Sequence, residues 1–342
     1  MVRCRVQSWT SRAWHIFSLA TPCALSAALV LSLPGASARA ADDNPRCPPE
    51  MVLVRSFCID RWEMSTVDKQ SGKALSPYYP PSARELSGVF DYWIVERRAF
   101  GDAPAREFPL PELPEWQREH DFSPRAVSRP GVVPQAYVSY PVAKRACEAA
   151  GKRLCTEKEW TVACGGERGF KYPYGERYQA SVCNVHRQYH PAFVLHGNSS
   201  LGHRDPRLNL LVEGDRDPLL RLTGATPKCA SPWGGDAIYD MVGNIDEWVE
   251  GEKSPAFVGG FYARSTTKGC EAIVDSHAAI YYDYSTGARC CKAARLESGD
   301  LGRADHDRHE SRKATRTPAR PVPGSWEHAE VARLSARSSG LR

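Results

Sequence analysis

The sequence predicts an α+β domain with little regular secondary structure, held together by disulfide bonds. Three observations lead to this prediction: short strand-like segments, two helices with clear start and stop signals, and an even number of cysteines in the exported part of the chain. Between a leader and a basic tail, about 250 residues remain, which is enough for one core in a single large domain.

The first 40 residues have the pattern of a secretory signal peptide. Three arginines precede an apolar run from Ala24 to Leu33, and Ala38-Arg39-Ala40 supplies a small-x-small cleavage pattern. The run is too short to cross the roughly 30 Å of hydrocarbon in a bilayer. We therefore expect a secreted or periplasmic protein with no membrane span.

Cysteine usage agrees with export. The chain has 12 cysteines, and Cys4 and Cys23 leave with the leader, so ten remain in an oxidising compartment, where disulfides are expected. A zinc cluster is the competing interpretation, but the sequence has no Cys-x-x-Cys pair. Cys47 and Cys58 can pair across a predicted hairpin, which would contribute about 3 kcal/mol in the chain-entropy model.

The formal charge of +5 is unevenly distributed. The leader carries +4 and residues 301–342 carry another +4, which leaves −3 for residues 41–300. A body of that charge gives no electrostatic reason to bind nucleic acid or anionic lipid. We expect the domain to span 41–295, followed by a basic disordered tail over 296–342.

The elements follow in chain order. Cys47 to Glu63 has the β-branched and apolar content of two short strands. Residues 77–134 contain ten prolines and are predicted to form a long insertion, with a helix only around Ala83 to Arg98.

Two further helices have clear boundaries in the sequence. Ser139 and Pro141 suit the start of the first, and Gly151 suits its end. Thr156 and Glu159 form a capping box for the second, which is predicted to end near Cys164. The inward face of the first helix is predicted to be Ala143, Ala146, Cys147 and Ala150.

Separated sequence blocks resemble the formylglycine-generating enzyme (sulfatase-modifying factor) family, in order and approximate spacing, from about residue 47 to 291. The blocks are AAGKRLCTEKEW at 149–160, YPYG at 172–175, YDMVGNIDEW at 239–248, and Gly259-Gly260 followed by GARC at 287–290. The resemblance implies a C-type-lectin-like α+β fold. It also implies two family disulfides, Cys147 with Cys290 and Cys164 with Cys270.

The remaining cysteines leave the pairing open. Cys291 must point to the opposite face of a strand from Cys290. Cys155, Cys183, Cys229 and Cys291 then allow three connectivities.

The resemblance also locates the copper centre of the family's oxidases. These enzymes convert a substrate cysteine to formylglycine with copper(I) held by two free cysteines after Gly-Gly-Ser, and two thiolates suit a soft ion. Here Phe261 replaces the serine, one copper position falls on Arg264, and the other falls at or beside Gly269. Cys270 is either a copper thiol or the disulfide partner of Cys164 in a shortened loop. The resemblance therefore implies a divergent member without the copper pair, and copper is not expected.

A calcium loop of the family corresponds to residues 240–247. By resemblance, Asp240 and Glu247 supply carboxylate ligands, and Gly243 and Ile245 supply carbonyls. The alternative is a tight turn in which Glu247 has a capping role.

The family's substrate groove corresponds to the tyrosine-rich segment from His277 to Tyr284. We expect Arg264, His277, Tyr282 and Arg289 to line it and to bind a peptide, protein or glycan. The alternative is an ordinary tyrosine-rich strand. The sequence offers no Ser-His-Asp order, His-Glu-x-x-His helix or glycine-rich phosphate loop in a usable context.

Two function hypotheses follow. The first is a secreted binding or accessory module that has lost the copper oxidase centre. The second is an oxidoreductase of the superfamily, either a formylglycine-generating oxidase acting on a sulfatase cysteine or an enzyme of siderophore maturation. The number of free thiols separates them, since five disulfides leave none and copper needs two.

Overall fold

The structure is a computed structural model that describes residues 46–96, 102–214, 216–264 and 267–295. The predicted signal peptide and basic tail lie outside the described residues. Within those ranges the chain forms an α+β fold with short strands and short helices, as predicted.

Fourteen strands and six helices are defined in the described part of the chain. The strands are β1 (Met51–Val54), β2 (Phe57–Asp60), β3 (Met64–Asp68), β4 (Pro124–Ser128), β5 (Arg153–Leu154), β6 (Val212–Glu213), β7 (Asp217–Pro218), β8 (Ala230–Trp233), β9 (Asp236–Tyr239), β10 (Asp246–Val249), β11 (Ala256–Val258), β12 (Ile273–Val274), β13 (Thr286–Ala288) and β14 (Cys290–Ala293). The helices are α1 (Ala83–Glu96), α2 (Ala103–Glu107), α3 (Glu115–Glu119), α4 (Tyr140–Ala149), α5 (Glu157–Cys164) and α6 (Pro191–His196). Single 3-10 turns lie at Leu208–Leu210 and Gly269–Glu271.

Two four-stranded sheets organise the domain. The first has the order β1-β2-β14-β5, so the C-terminal strand lies beside the N-terminal hairpin. The second has the order β12-β11-β10-β13, with β10 and β13 parallel. The remaining strands form the antiparallel pairs β3-β4, β6-β7 and β8-β9. Because β13 and β14 are consecutive in sequence, the segment 286–293 connects the two sheets.

The start signals of the two predicted helices behave differently. Thr156 accepts a hydrogen bond from the backbone N–H of Glu159, and Glu159 caps in return, so the capping box of α5 is present. Ser139 precedes α4, and Pro141 lies in its first turn, but the Ser139 hydroxyl makes no capping bond. It donates to Glu85 Oε1 at 3.2 Å instead. The predicted N-cap hydrogen bond of Ser139 was therefore wrong, because the hydroxyl donates to the Glu85 carboxylate of α1 instead.

The proline-rich insertion contains more regular structure than its composition predicts. Pro104 lies in the first turn of α2, Pro114 precedes α3, and Pro124 begins β4. These are positions where a proline removes no hydrogen bond that the element needs. Residues of α1 and α2 share a hydrophobic cluster with Phe261 and Tyr262. These two residues belong to the segment that follows β11 from Gly259 onward, which we call the closing loop. The insertion is therefore part of the core.

One buried arginine fastens the insertion to the body. Arg207 is fully buried and forms an ion pair with Asp205 at 2.7 Å. Its Nη1 donates to the carbonyls of Ala105 at 2.7 Å and Phe108 at 3.2 Å. These bonds tie the end of α2 to the body of the domain, and the Ala105 carbonyl also accepts from the backbone N–H of Phe108.

Five disulfides cross the described domain: Cys47–Cys58, Cys147–Cys290, Cys155–Cys291, Cys164–Cys270 and Cys183–Cys229. The three pairs expected from the sequence and its family resemblance are among them. The structure also selects one of the three connectivities left open. Cys290 bonds to α4, whereas Cys291 bonds to Cys155 directly after β5, as the alternation of side chains along a strand requires.

The described residues include no helix with the length and apolar character needed to cross a membrane.

Candidate functional site

The closing loop begins with two glycines in left-handed backbone conformations. Gly259 and Gly260 have φ values of +86° and +77°. A Cβ on Gly259 would lie 2.7 Å from the carbonyl oxygen of Met241, so a side chain does not fit there. The turn leads from β11 to Phe261, whose ring packs edge-on against that of Tyr284 with ring centroids 5.5 Å apart.

The cysteine of this loop is committed to a disulfide. Cys270 bonds to Cys164 at the end of α5 and is buried. All ten cysteines from Cys47 to Cys291 are paired. The described residues therefore contain no free thiol, and the donor set does not fit a copper(I) centre, which needs soft thiolate ligands.

Arg264, which stands where the resemblance places a copper thiol, forms an ion pair. Its guanidinium lies 3.0 Å from both carboxylate oxygens of Asp246, which is fully buried at the start of β10. The same guanidinium lies over the rings of Phe257 and Phe261, at 5.7 and 5.2 Å from their centroids. Burial is the main cause that raises the pKa of Asp246, to about 7, although Arg264 opposes the shift.

His277 is exposed beside this pair and stacks on Tyr281, with ring centroids 4.0 Å apart. Phe257 continues the stack at 5.4 Å from the His277 ring. The Tyr281 hydroxyl donates a short hydrogen bond to Asp283, which raises the pKa of Tyr281 together with the larger effect of burial. Arg264, His277 and Tyr281 therefore cover the buried ring of Phe257. We call Arg264, His277 and Tyr281 the closing-loop surface.

Two of the predicted groove residues lie elsewhere. Tyr282 is buried under the guanidinium of Arg204, which is 4.3 Å from its ring centroid. Arg289 is fully buried, so its predicted place in the groove was wrong. Its Nη2 lies 2.6 Å from Glu247 Oε1 and also donates to the carbonyl of Tyr239, while Nη1 donates to the carbonyl of Asp60. Arg289 does not line a groove because its guanidinium neutralises the buried carboxylate of Glu247.

The predicted calcium loop is occupied by the same ion pair. Both oxygens of Glu247 bind Arg289, and Oε2 also accepts from the Trp160 indole at 2.7 Å. Asp240 accepts from the backbone N–H of Gly224 at 2.7 Å, and the Gly243 carbonyl accepts from the N–H of Ile245. In this arrangement the candidate oxygen ligands do not fit a calcium ion, because the Arg289 guanidinium already neutralises Glu247. Calcium remains a prediction from the resemblance.

A third carboxylate adjoins this ion pair. Glu63 is fully buried and accepts from Asn244 Nδ2 at 2.8 Å. Burial raises the pKa of Glu63 well above its usual value, and the nearby charges of Asp240 and Glu247 add to the shift. Arg289 lowers the pKa of both Glu63 and Asp240, and Arg221 also lowers that of Asp240, but burial outweighs these charges and both pKa values are raised.

Sequence reasoning missed Asp246 and Phe257, which are buried beneath the closing-loop surface. Asp246 precedes Glu247 in a strand, so the two side chains must point to opposite faces, one to Arg264 and one to Arg289. This alternation can be inferred from the sequence once β10 is recognised as a strand. The role of Phe257 depends on three segments meeting around one ring and has no local signal.

The geometry defines a disulfide-stapled α+β domain with a Gly-Gly closing turn and no free thiol among its described cysteines. A family model described as sulfatase-modifying factor enzyme 1-like domain matches residues 19–294. The chain belongs to this family.

Relatives in the family include active and inactive proteins. The chain is 31% identical over 245 residues to the formylglycine-generating enzyme of Mycobacterium tuberculosis, covering 66% of this chain and 75% of that protein. It is 25% identical over 219 residues to the mouse inactive C-alpha-formylglycine-generating enzyme 2, covering 61% of this chain and 62% of that protein. The chain thus spans less than two thirds of the inactive mouse relative.

Two solved structures are similar to this chain, with low TM-scores. The structure of PvdO from Pseudomonas aeruginosa has a TM-score of 0.31 and 14% identity, covering 69% of this chain and 94% of that chain. The crystal structure of CarF has a TM-score of 0.33 and 15% identity, covering 70% and 87%. The sequence-based family match assigns the fold.

Proposed function

We propose that this chain is a secreted or periplasmic member of the family that has no copper oxidase activity and serves as a binding or accessory module. The observation that carries the proposal is the pairing of all ten cysteines between Cys47 and Cys291. In particular, Cys270 is bonded to Cys164, and Arg264 stands where the resemblance places a copper thiol. An oxidase of this family needs two thiolates that this arrangement does not supply.

The proposed binding region is the closing-loop surface. Arg264 is partly exposed, and His277 is exposed on a stacked tyrosine. Aromatic faces and a guanidinium are groups that recognise peptide, protein or glycan surfaces by stacking and hydrogen bonding. Asp246 beneath Arg264 holds the guanidinium in place, so the surface is ordered before a ligand binds.

Counting free thiols in the denatured, unreduced mature protein tests the proposal. We expect none, because five disulfides use all ten cysteines. The protein should also leave unchanged a sulfatase-derived peptide with a reactive cysteine when copper(I) is supplied. Two reactive thiols that include Cys270, together with conversion of that peptide, would establish the oxidoreductase hypothesis instead.

A further inference from the structure

The insertion forms a cleft of its own between two of its helices. The cleft has a volume of about 540 Å³ and is lined by α1 and by the segment from Gln117 to Asp121. Sites for small ligands commonly have volumes of roughly 300–1,000 Å³. None of the residues considered above for copper, calcium or the closing-loop surface contributes to the lining.

One part of the lining is apolar. Leu86 is buried and Phe90 is half-buried, and both belong to α1. The Phe90 ring also packs against Tyr79, with ring centroids 5.9 Å apart, which restrains its orientation. A restrained aromatic ring offers a flat apolar surface to a ligand.

A buried amide at the cleft lacks a hydrogen-bond acceptor. Gln117 lines the cleft and is only 1% exposed. Its Oε1 accepts from the backbone N–H of Ser76 at 2.8 Å, and because that N–H can only donate, the amide orientation is fixed. Its Nε2 donates no hydrogen bond and is itself covered, so a ligand in the cleft reaches it only when the groups that cover it shift. A buried donor without an acceptor is costly, so an acceptor brought by a ligand would be favoured here.

The charges around the cleft are balanced. Arg84 and Arg118 oppose Glu119 and Asp121, and Arg118 lies 3.2 Å from Glu119. Equal numbers of cationic and anionic side chains do not favour a ligand with net charge. They do offer both donors and acceptors, which suits a ligand whose polar groups are themselves both donors and acceptors.

We propose that this cleft binds a neutral saccharide unit. A sugar has an apolar C–H face for the ring of Phe90 and hydroxyl groups that can accept from Gln117 Nε2 and donate to Glu119 or Asp121. The balanced charge favours this class over carboxylates, phosphates or polyamines. The cleft is a second binding site, independent of the closing-loop surface.

Saturation-transfer NMR on the mature protein tests this proposal. The probes are four methyl glycosides: those of glucose, mannose, galactose and N-acetylglucosamine. We expect transfer to at least one of them. The Phe90→Leu variant, which keeps an apolar side chain but removes the ring, should weaken that binding at least fivefold. Tyr92→Leu is the matched control, because Tyr92 is an exposed aromatic residue of the same helix outside the cleft.

A second variant tests the amide independently of the ring. Gln117→Glu keeps an oxygen for the N–H of Ser76 and removes the Nε2 donor, so it should also weaken binding at least fivefold. Transfer to none of the four glycosides would overturn the proposal, as would equal binding by the parent protein and both cleft variants.

Discussion

At the residue scale, buried ion pairs set the chemistry of the domain. Arg289 neutralises Glu247 inside the core, and Arg264 neutralises Asp246 nearer the surface. Glu247 and Asp246 are neighbours in β10, so the strand directs one carboxylate to each side. This local alternation explains why Arg264 is available to a ligand and Arg289 is not.

Removing the buried guanidinium should destabilise the protein strongly. Arg289→Met leaves Glu247 buried and uncompensated, beside Glu63 and Asp240. We expect the free energy of unfolding in urea to fall by about 3–5 kcal/mol. Arg264→Met is the comparison and should cost less, because its guanidinium is partly exposed and Asp246, with a pKa of about 7, can take up a proton when the guanidinium is removed. Equal losses in the two variants would contradict the assignment of Arg289 to the core.

Asp246 should make stability decrease with rising pH. Its folded-state pKa is about 7, above its unfolded value of 3.8. Between these values the unfolded chain has lost a proton that the folded protein retains, so the free energy of unfolding falls as pH rises from about 4 to 7. Asp60, with a pKa raised to about 6 by burial, acts in the same direction. Above pH 7 the effect of Asp246 is complete.

The pH dependence can be assigned by substitution. Asp246→Asn should flatten the plot of unfolding free energy against pH between pH 4 and 7, as measured by urea titrations at each pH. The contribution of Asp60 should persist in that variant. An unchanged slope would show that Asp246 does not titrate in the folded protein as expected.

The calcium prediction depends on Glu247 and Asp240. Because Arg289 binds both oxygens of Glu247, we expect a chelator to leave the melting temperature unchanged. A chelator-induced decrease that disappears in Asp240→Ala would instead support the calcium site implied by the family resemblance.

At the element scale, helix starts show how tertiary contacts modify local signals. The Thr156 capping box of α5 forms as the sequence predicts, because both partners lie within four residues. The Ser139 hydroxyl of α4 is diverted to Glu85, which is 54 residues away in sequence. Pro104 likewise lies in the first turn of α2, whose Ala105 belongs to the hydrophobic cluster that contains Phe261 and Tyr262.

The two helix starts can be compared directly. Thr156→Ala should lower the free energy of unfolding by about 1 kcal/mol, because it removes a capping hydrogen bond. Ser139→Ala should cost at least as much, because its fully buried hydroxyl donates to the Glu85 carboxylate and a hydrogen bond to a charged group contributes about 1.5–3 kcal/mol. Urea unfolding of both variants measures the difference. A smaller loss from Ser139→Ala would contradict it.

At the scale of the whole molecule, disulfides connect segments that are distant in sequence. Cys164–Cys270 closes a span of 106 residues and ties α5 to the closing loop, whereas Cys47–Cys58 closes 11 residues within one hairpin. In the chain-entropy model a longer closed loop restricts the unfolded chain more. Cys270 therefore serves the scaffold as a staple and is not available as a free thiol.

The two disulfides should differ in their contribution to stability. Replacing Cys164 and Cys270 together with alanine should lower the free energy of unfolding by about 4–5 kcal/mol, against about 3 kcal/mol for Cys47 and Cys58. Chemical denaturation of the two double variants measures both. If the Cys164–Cys270 variant lost no stability, that bond would not staple the domain.

The sequence by itself determined the fold class, the family blocks, the N-terminal hairpin and the α5 capping box. These features depend on residues close together in the chain, where spacing fixes the geometry. Only the tertiary structure decided the pairing of Cys155 with Cys291, the core position of Arg289 and the cleft beside Phe90. Each of these depends on contacts between segments far apart in sequence, and local patterns carry no information about which distant groups will neutralise, cover or face one another.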